Sequence, residues 1–72
     1  MLVMLRVFTD WLDMQLEAKG WTRADLARRS KVSQSTLSLI YSEARAPGPE
    51  TLTAIANALH VSPVAVYRAA GL

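Results

Sequence analysis

The stretch LARRSKVSQSTLSLI (residues 26–40) decides the fold of this 72-residue chain. It holds two segments whose apolar residues recur at helical spacing, and only SKVS separates them. Two helices joined by a turn of three or four residues cross at roughly 90 to 120°. The stretch therefore predicts a helix-turn-helix whose second helix, at about residues 33–42, is rich in Ser and Gln.

The size and composition of the chain argue against an enzyme. A domain this small buries about 60% of its unfolded surface and leaves little room for a catalytic cleft. The absence of cysteine excludes disulfides, thiolate metal sites and thiol nucleophiles, and the single histidine, His60, has no partner at metal-ligand spacing. We expect no cofactor and no bound metal. Arg6 and Asp10 interrupt the apolar start, so we expect no membrane span and a cytoplasmic protein.

The sequence predicts five helices, of which the second and third form this motif. Leu5, Phe8, Leu12 and Leu16 share one helical face and predict a first helix over about residues 3–19. Capping residues mark four further helix starts, at Thr22, Ser33, Gly48-Pro49 and Ser62-Pro63. No segment alternates as a half-buried strand does, so residues 1–72 are expected to form one compact all-α domain of five helices, with the motif at about residues 22–42.

The motif and its flanks resemble a known family. Residues 23–42, with KGWT before them and RAPGPETLTAIANALHVSPVAVYRAAGL near the end of the chain, are similar to the helix-turn-helix of the Cro/CI/XRE family of bacterial and phage repressors. The resemblance implies a lambda-repressor-like fold and a third helix that enters the major groove of double-stranded DNA. Lys31 and His60 stand where the family usually has Gly, so we expect both at positive φ, at a cost of about 1 kcal/mol each.

Short polar side chains define the expected base-reading surface. A helical wheel places Ser35, Ser38 and Ser42 at the centre of the exposed arc of the third helix, with Gln34 and Leu39 at its margins. Gln bonds adenine and Ser bonds either base, while an apolar group meets a thymine methyl. The resemblance implies that Gln34, Ser35 and Ser38 read bases, and Leu39 occupies a further reading position that is often polar in relatives. Ser-rich exposed faces also occur in proteins that bind nothing.

Positive charge is concentrated on the motif. Residues 21–45 carry a surplus of three positive charges, whereas residues 1–20 carry one net negative charge. The resemblance implies phosphate contacts by Arg23, Ser42 and Arg45, and we expect Ser33 and Thr36 to add contacts at the start of the third helix. Arg28 and Arg29 are weaker candidates, because either can pair with Asp25.

A second apolar stripe on the first helix suggests self-association. It consists of Met4, Val7, Trp11 and Met14, and an exposed patch of this kind usually marks an interface. Alternatively, the fifth helix or the N-terminal residues cover it. The rival homodimer surface is on the fifth helix, since members of the family often pair through their C-terminal region, and it consists of Val64, Val66 and Tyr67.

Together these features predict a sequence-specific transcriptional regulator of a bacterium or phage, acting on nucleoid DNA as a repressor. Two alternatives stay open. The first is that the chain is the antitoxin of a toxin–antitoxin pair, and the second is that it is a protein-interaction module that has lost DNA binding. Because the sequence ends at the fifth helix, we expect no ligand-sensing domain, and control by concentration, degradation or a protein partner such as a toxin or anti-repressor.

Overall fold

The computed structural model describes residues 2–71, and it describes side chains from Arg6 onward. Within this part of the chain there are five helices and no strand, which confirms the predicted all-α architecture. The helices are α1 (Leu2–Lys19), α2 (Arg23–Ser30), α3 (Gln34–Tyr41), α4 (Pro49–Leu59) and α5 (Pro63–Ala69). The expected roles of the Met4 and Leu5 side chains lie outside the described residues.

All five helices contribute to a single apolar core. The helices α2 and α5 both pack on α4, α1 packs on α3 and α5, and α2 also packs on α3. Burial of the apolar face of each helix supplies most of the stability of such short helices, which are marginal in isolation. The buried apolar residues are Phe8, Leu12, Leu16, Leu26, Ala27, Leu37, Ile40, Leu52, Ile55, Ala56, Leu59 and Val66.

The helix ends follow the predicted capping residues. Thr22 and Asp25 form a reciprocal capping box at the start of α2, and the hydroxyls of Ser33 and Ser62 accept backbone N–H groups at the starts of α3 and α5. These bonds satisfy N–H groups that have no partner within the helix. Gly20 ends α1 in the left-handed conformation, with φ of 69°.

Within residues 2–71, three residues other than glycine have left-handed backbone. Lys31 (φ 62°) and His60 (φ 59°) end α2 and α4, as the resemblance to the family implies. Glu43 (φ 64°), just after α3, is a third such position that the sequence analysis missed. An L-residue in this conformation costs about 1 to 2 kcal/mol, which the rest of the fold must offset at all three positions.

The apolar stripe of α1 is largely open. Val7 is 56% exposed and Met14 is 66% exposed, so the described residues do not cover the stripe at these two positions. Trp11 is half-buried and stacks on Phe8, with ring centroids 6.2 Å apart.

The surface suggested on α5 needs one correction. Val66 is fully buried in the apolar core, and it is not part of any surface. Val64 is exposed and Tyr67 is half-buried, so only these two residues of the suggested set reach the surface. None of the described helices is both long and apolar enough to cross a lipid bilayer.

Candidate nucleic-acid interface

A three-residue corner joins α2 to α3. The corner begins at Lys31, whose left-handed backbone turns the chain, and the Ser30 hydroxyl accepts the N–H of Val32 at 3.2 Å. Ser33 then caps α3. The two helices are therefore separate elements that change direction at residues 31–33, as the helix-turn-helix pattern predicts.

One face of α3 is buried and the opposite face is exposed. Leu37 and Ile40 are buried and hold the helix against the core. The opposite side faces outward and forms one shallow, open surface, here called the α3 face, which consists of Gln34, Ser35, Ser38 and Leu39. Leu39 is 41% exposed, and the three polar residues are exposed. An eight-residue helix is about 12 Å long, and a B-DNA major groove admits a helix.

Hydroxyl groups at the two ends of α3 already make hydrogen bonds within the protein. Ser33 Oγ accepts the N–H of Thr36 at 3.1 Å and donates to Thr36 Oγ1 at 2.9 Å. The Thr36 hydroxyl proton is therefore free for another acceptor. Ser42 Oγ donates to the carbonyl oxygen of Leu39 at 3.0 Å, so its own proton is already engaged.

A groove runs between α3 and the start of α4. Thr36 and Arg45 line it together with Gly48, Pro49 and Glu50. Because Gly48 has no side chain to cap α4, the first backbone N–H groups of that helix have no side-chain acceptor. Free N–H groups at a helix start, together with Arg45, suit a phosphate oxygen better than a neutral ligand.

Arg23 is held by two other helices. Its Nη2 donates to Asp13 Oδ2 at 2.9 Å and its Nε donates to Asp13 Oδ1 at 3.4 Å, while its Cζ lies 3.6 Å from the centroid of the Tyr41 ring. This cluster was not expected from the sequence. Asp13 and Arg23 are ten residues apart on different helices, so no helical spacing signals the pair.

The Tyr41 hydroxyl in this cluster is buried and makes no hydrogen bond within the described residues. Burial, reinforced by the neighbouring Asp13 carboxylate, raises the pKa of Tyr41 well above its usual value. The ring therefore stays neutral beside Arg23 at any physiological pH.

Two other arginines of the motif also have partners. Arg28 Nη2 donates to Asp25 Oδ1 at 2.8 Å, which is one of the two pairings expected from the sequence. The N–H of Thr22 donates to the same carboxylate, and this bond is the main reason that the pKa of Asp25 is lowered. Arg29 lies over the Trp21 ring, with its Cζ 4.5 Å from the centroid. Lys31 and Arg45 have no ion pair among the described residues.

The comparisons with known proteins agree with this geometry. Residues 12–66 match the family model described as Helix-turn-helix, which spans about three quarters of the chain. No curated protein and no solved structure gives a significant match. The described residues contain no group of three or more His, Cys, Asp or Glu side chains placed to hold a metal ion.

Proposed function

This chain belongs to the Cro/CI/XRE-type helix-turn-helix family, and we propose that it is a sequence-specific, non-enzymatic transcriptional regulator that represses by occupying an operator. Membership of a DNA-binding family makes DNA the expected partner. The observation that carries the proposal is the outward α3 face beside a three-residue corner. Its residues have the size and hydrogen-bonding groups that base edges in a major groove require.

Within this proposal, the α3 face reads the bases. Gln34, at the start of α3, forms paired hydrogen bonds to an adenine, and Ser35 and Ser38 bond base edges at closer range. Leu39 contacts a thymine methyl. Each good bidentate contact discriminates against the wrong base by about 1 to 3 kcal/mol.

The groups around the α3 face bind the two phosphate backbones. Arg23 lies on one side of α3, where it stacks on Tyr41, and Thr36 and Arg45 line the groove next to the start of α4. Ser33 caps the start of α3, and Ser42 follows its end. Thr36 donates its free hydroxyl proton, while Ser42 and Ser33 must first give up the bonds described above. These contacts set the register of the protein on the duplex and carry no sequence information.

Repression by two copies requires a dimer with half-sites about one helical turn apart, about 34 Å. The candidate surfaces are the stripe of α1, with Val7, Trp11 and Met14, and the surface of α5 with Val64 and Tyr67. Sedimentation across the micromolar range tests both, because a constant monomer mass rules them out.

A protein-interaction module is the second candidate, and one observation favours it. Leu39, Val7 and Met14 are all large apolar residues at the surface. In that case the scaffold is retained and DNA is not bound.

A mobility-shift assay with random-sequence duplex DNA separates these two functions. We expect a shift at low salt that weakens steeply as salt rises, because phosphate contacts release counterions. Arg23→Ala should weaken binding to every sequence and flatten the salt dependence by about one unit of slope. Arg68→Ala is the matched control, because it removes the same charge from α5, far from the motif in sequence, and should leave the slope unchanged. No shift at low salt would favour the interaction module.

A further inference from the structure

We infer that Asp13 and Tyr41 are positioning residues for DNA binding, which fix the guanidinium of Arg23 with one of its edges directed outward for a phosphate. This inference rests on the proposed function. It assigns a role to an acidic residue of α1 that lies outside the helix-turn-helix motif.

The hydrogen-bonding pattern leaves Arg23 able to bind a second anion. A guanidinium has five N–H donors in a plane. Asp13 takes the side edge, formed by Nε and one N–H of Nη2. The end edge consists of the second N–H of Nη2 and one N–H of Nη1, and Nη1 donates to none of the described residues. The Arg23 side chain is 57% exposed, and the inference is that this unused edge binds a phosphate oxygen pair.

The ring of Tyr41 fixes the plane of the guanidinium. A distance of 3.6 Å between Cζ and the ring centroid is that of direct stacking, which combines cation–π attraction with planar contact. Tyr41 is the last residue of α3. Arg23, Tyr41, Gln34 and Ser38 also line one small cavity. The guanidinium is therefore fixed relative to the helix that carries the α3 face.

The location of Arg23 is unfavourable for the isolated helix. It is the first residue of α2, where the helix dipole disfavours a positive charge. Asp13 compensates that charge in the free protein, and a DNA phosphate would compensate it further. Because Asp13 and Tyr41 already order the Arg23 side chain in the free protein, less conformational entropy is lost when DNA binds than for an unrestrained arginine, which has many rotamers.

The test measures binding of Asp13→Ala and Asp10→Ala to a random-sequence duplex at low salt. Asp10 is an exposed acidic residue one turn earlier on α1 and has no ion pair among the described residues. Charge alone predicts that both variants bind DNA more tightly, or equally well. Positioning predicts the opposite sign for Asp13→Ala, with binding weakened roughly three- to tenfold relative to Asp10→Ala. In an Arg23→Ala background, Asp13→Ala should cause no further weakening.

Two variants of Tyr41 separate positioning from simple stability. Tyr41→Phe keeps the ring and should bind DNA like the wild type, whereas Tyr41→Leu removes the stack and should weaken binding. Circular dichroism melting identifies any variant that unfolds, and the Nε–H signal of Arg23 in NMR reports directly whether its side chain is ordered.

The outcomes distinguish this inference from the proposed function. If the wild-type protein does not bind duplex DNA, both are wrong. If the wild type binds, but Asp13→Ala binds as tightly as Asp10→Ala, the positioning role alone is overturned.

Discussion

The left-handed turn at Lys31 gives a quantitative prediction about the corner between α2 and α3. Lys31 is exposed and has φ of 62° and ψ of 16°. A side chain with a Cβ in this conformation costs about 1 to 2 kcal/mol. Glycine avoids that cost but loses about 0.4 to 1 kcal/mol through the greater freedom of the unfolded chain. Lys31→Gly should therefore be more stable than Lys31→Ala by about 1 kcal/mol.

The alanine variant is the matched control, because both substitutions remove the same charge and the same long side chain. Only the Cβ differs between them. For a domain of this size, about 1 kcal/mol corresponds to a rise in Tm of about 4 to 8 °C. Thermal melting by circular dichroism at one pH and salt concentration measures this difference. A glycine variant that melts at or below the temperature of the alanine variant would show that residue 31 is not left-handed, and the described corner would then be wrong.

Three further predictions concern the candidate interface and its neighbours. Gln34→Ala should lose roughly 1 to 3 kcal/mol of binding on a site selected from random DNA and should relax the base preference at one position, measured by anisotropy. Equal losses on selected and random duplexes would contradict the base-reading role. The pKa of Asp25 is lowered, so its contribution to stability is present above pH 4 and is lost as pH falls through the lowered pKa. The Tm of Asp25→Asn should therefore depend less on pH below about 4 than that of the wild type. Burial raises the pKa of Tyr41, so the contribution of its neutral hydroxyl to the stability of the fold is present below pH 10 and is lost at higher pH. The Tm of Tyr41→Phe should therefore fall less than that of the wild type in alkaline melting experiments. Identical pH profiles of variant and wild type would contradict either assignment.

Local signals in the sequence predicted most of the fold. Thr22, Ser33 and Ser62 cap helices because their hydroxyls reach N–H groups within three residues, and Pro49 begins α4 because its missing N–H is not needed there. The resemblance to relatives predicted the left-handed positions at residues 31 and 60. These features depend on neighbours in the chain or on the family pattern, so a sequence alone reveals them.

Contacts between helices were not predictable in the same way. The pair between Asp13 and Arg23, and the stacking of Arg23 on Tyr41, depend on how three helices pack together. Val66 was assigned to a surface because relatives often pair through their C-terminal region, and only the packing of α5 on the other helices shows that it is buried. Glu43 adopts positive φ after α3 without the glycine that usually signals such a turn.

Mapping the DNA contact by NMR tests the central claim most directly. Amide signals of the labelled protein are followed as a duplex selected from random sequences is added at low salt. We expect the largest shifts on the α3 face, at Gln34, Ser35 and Ser38, and at the starts of α2 and α4. Shifts confined to α5 or to the stripe around Val7 and Met14, with the α3 face unchanged, would contradict it.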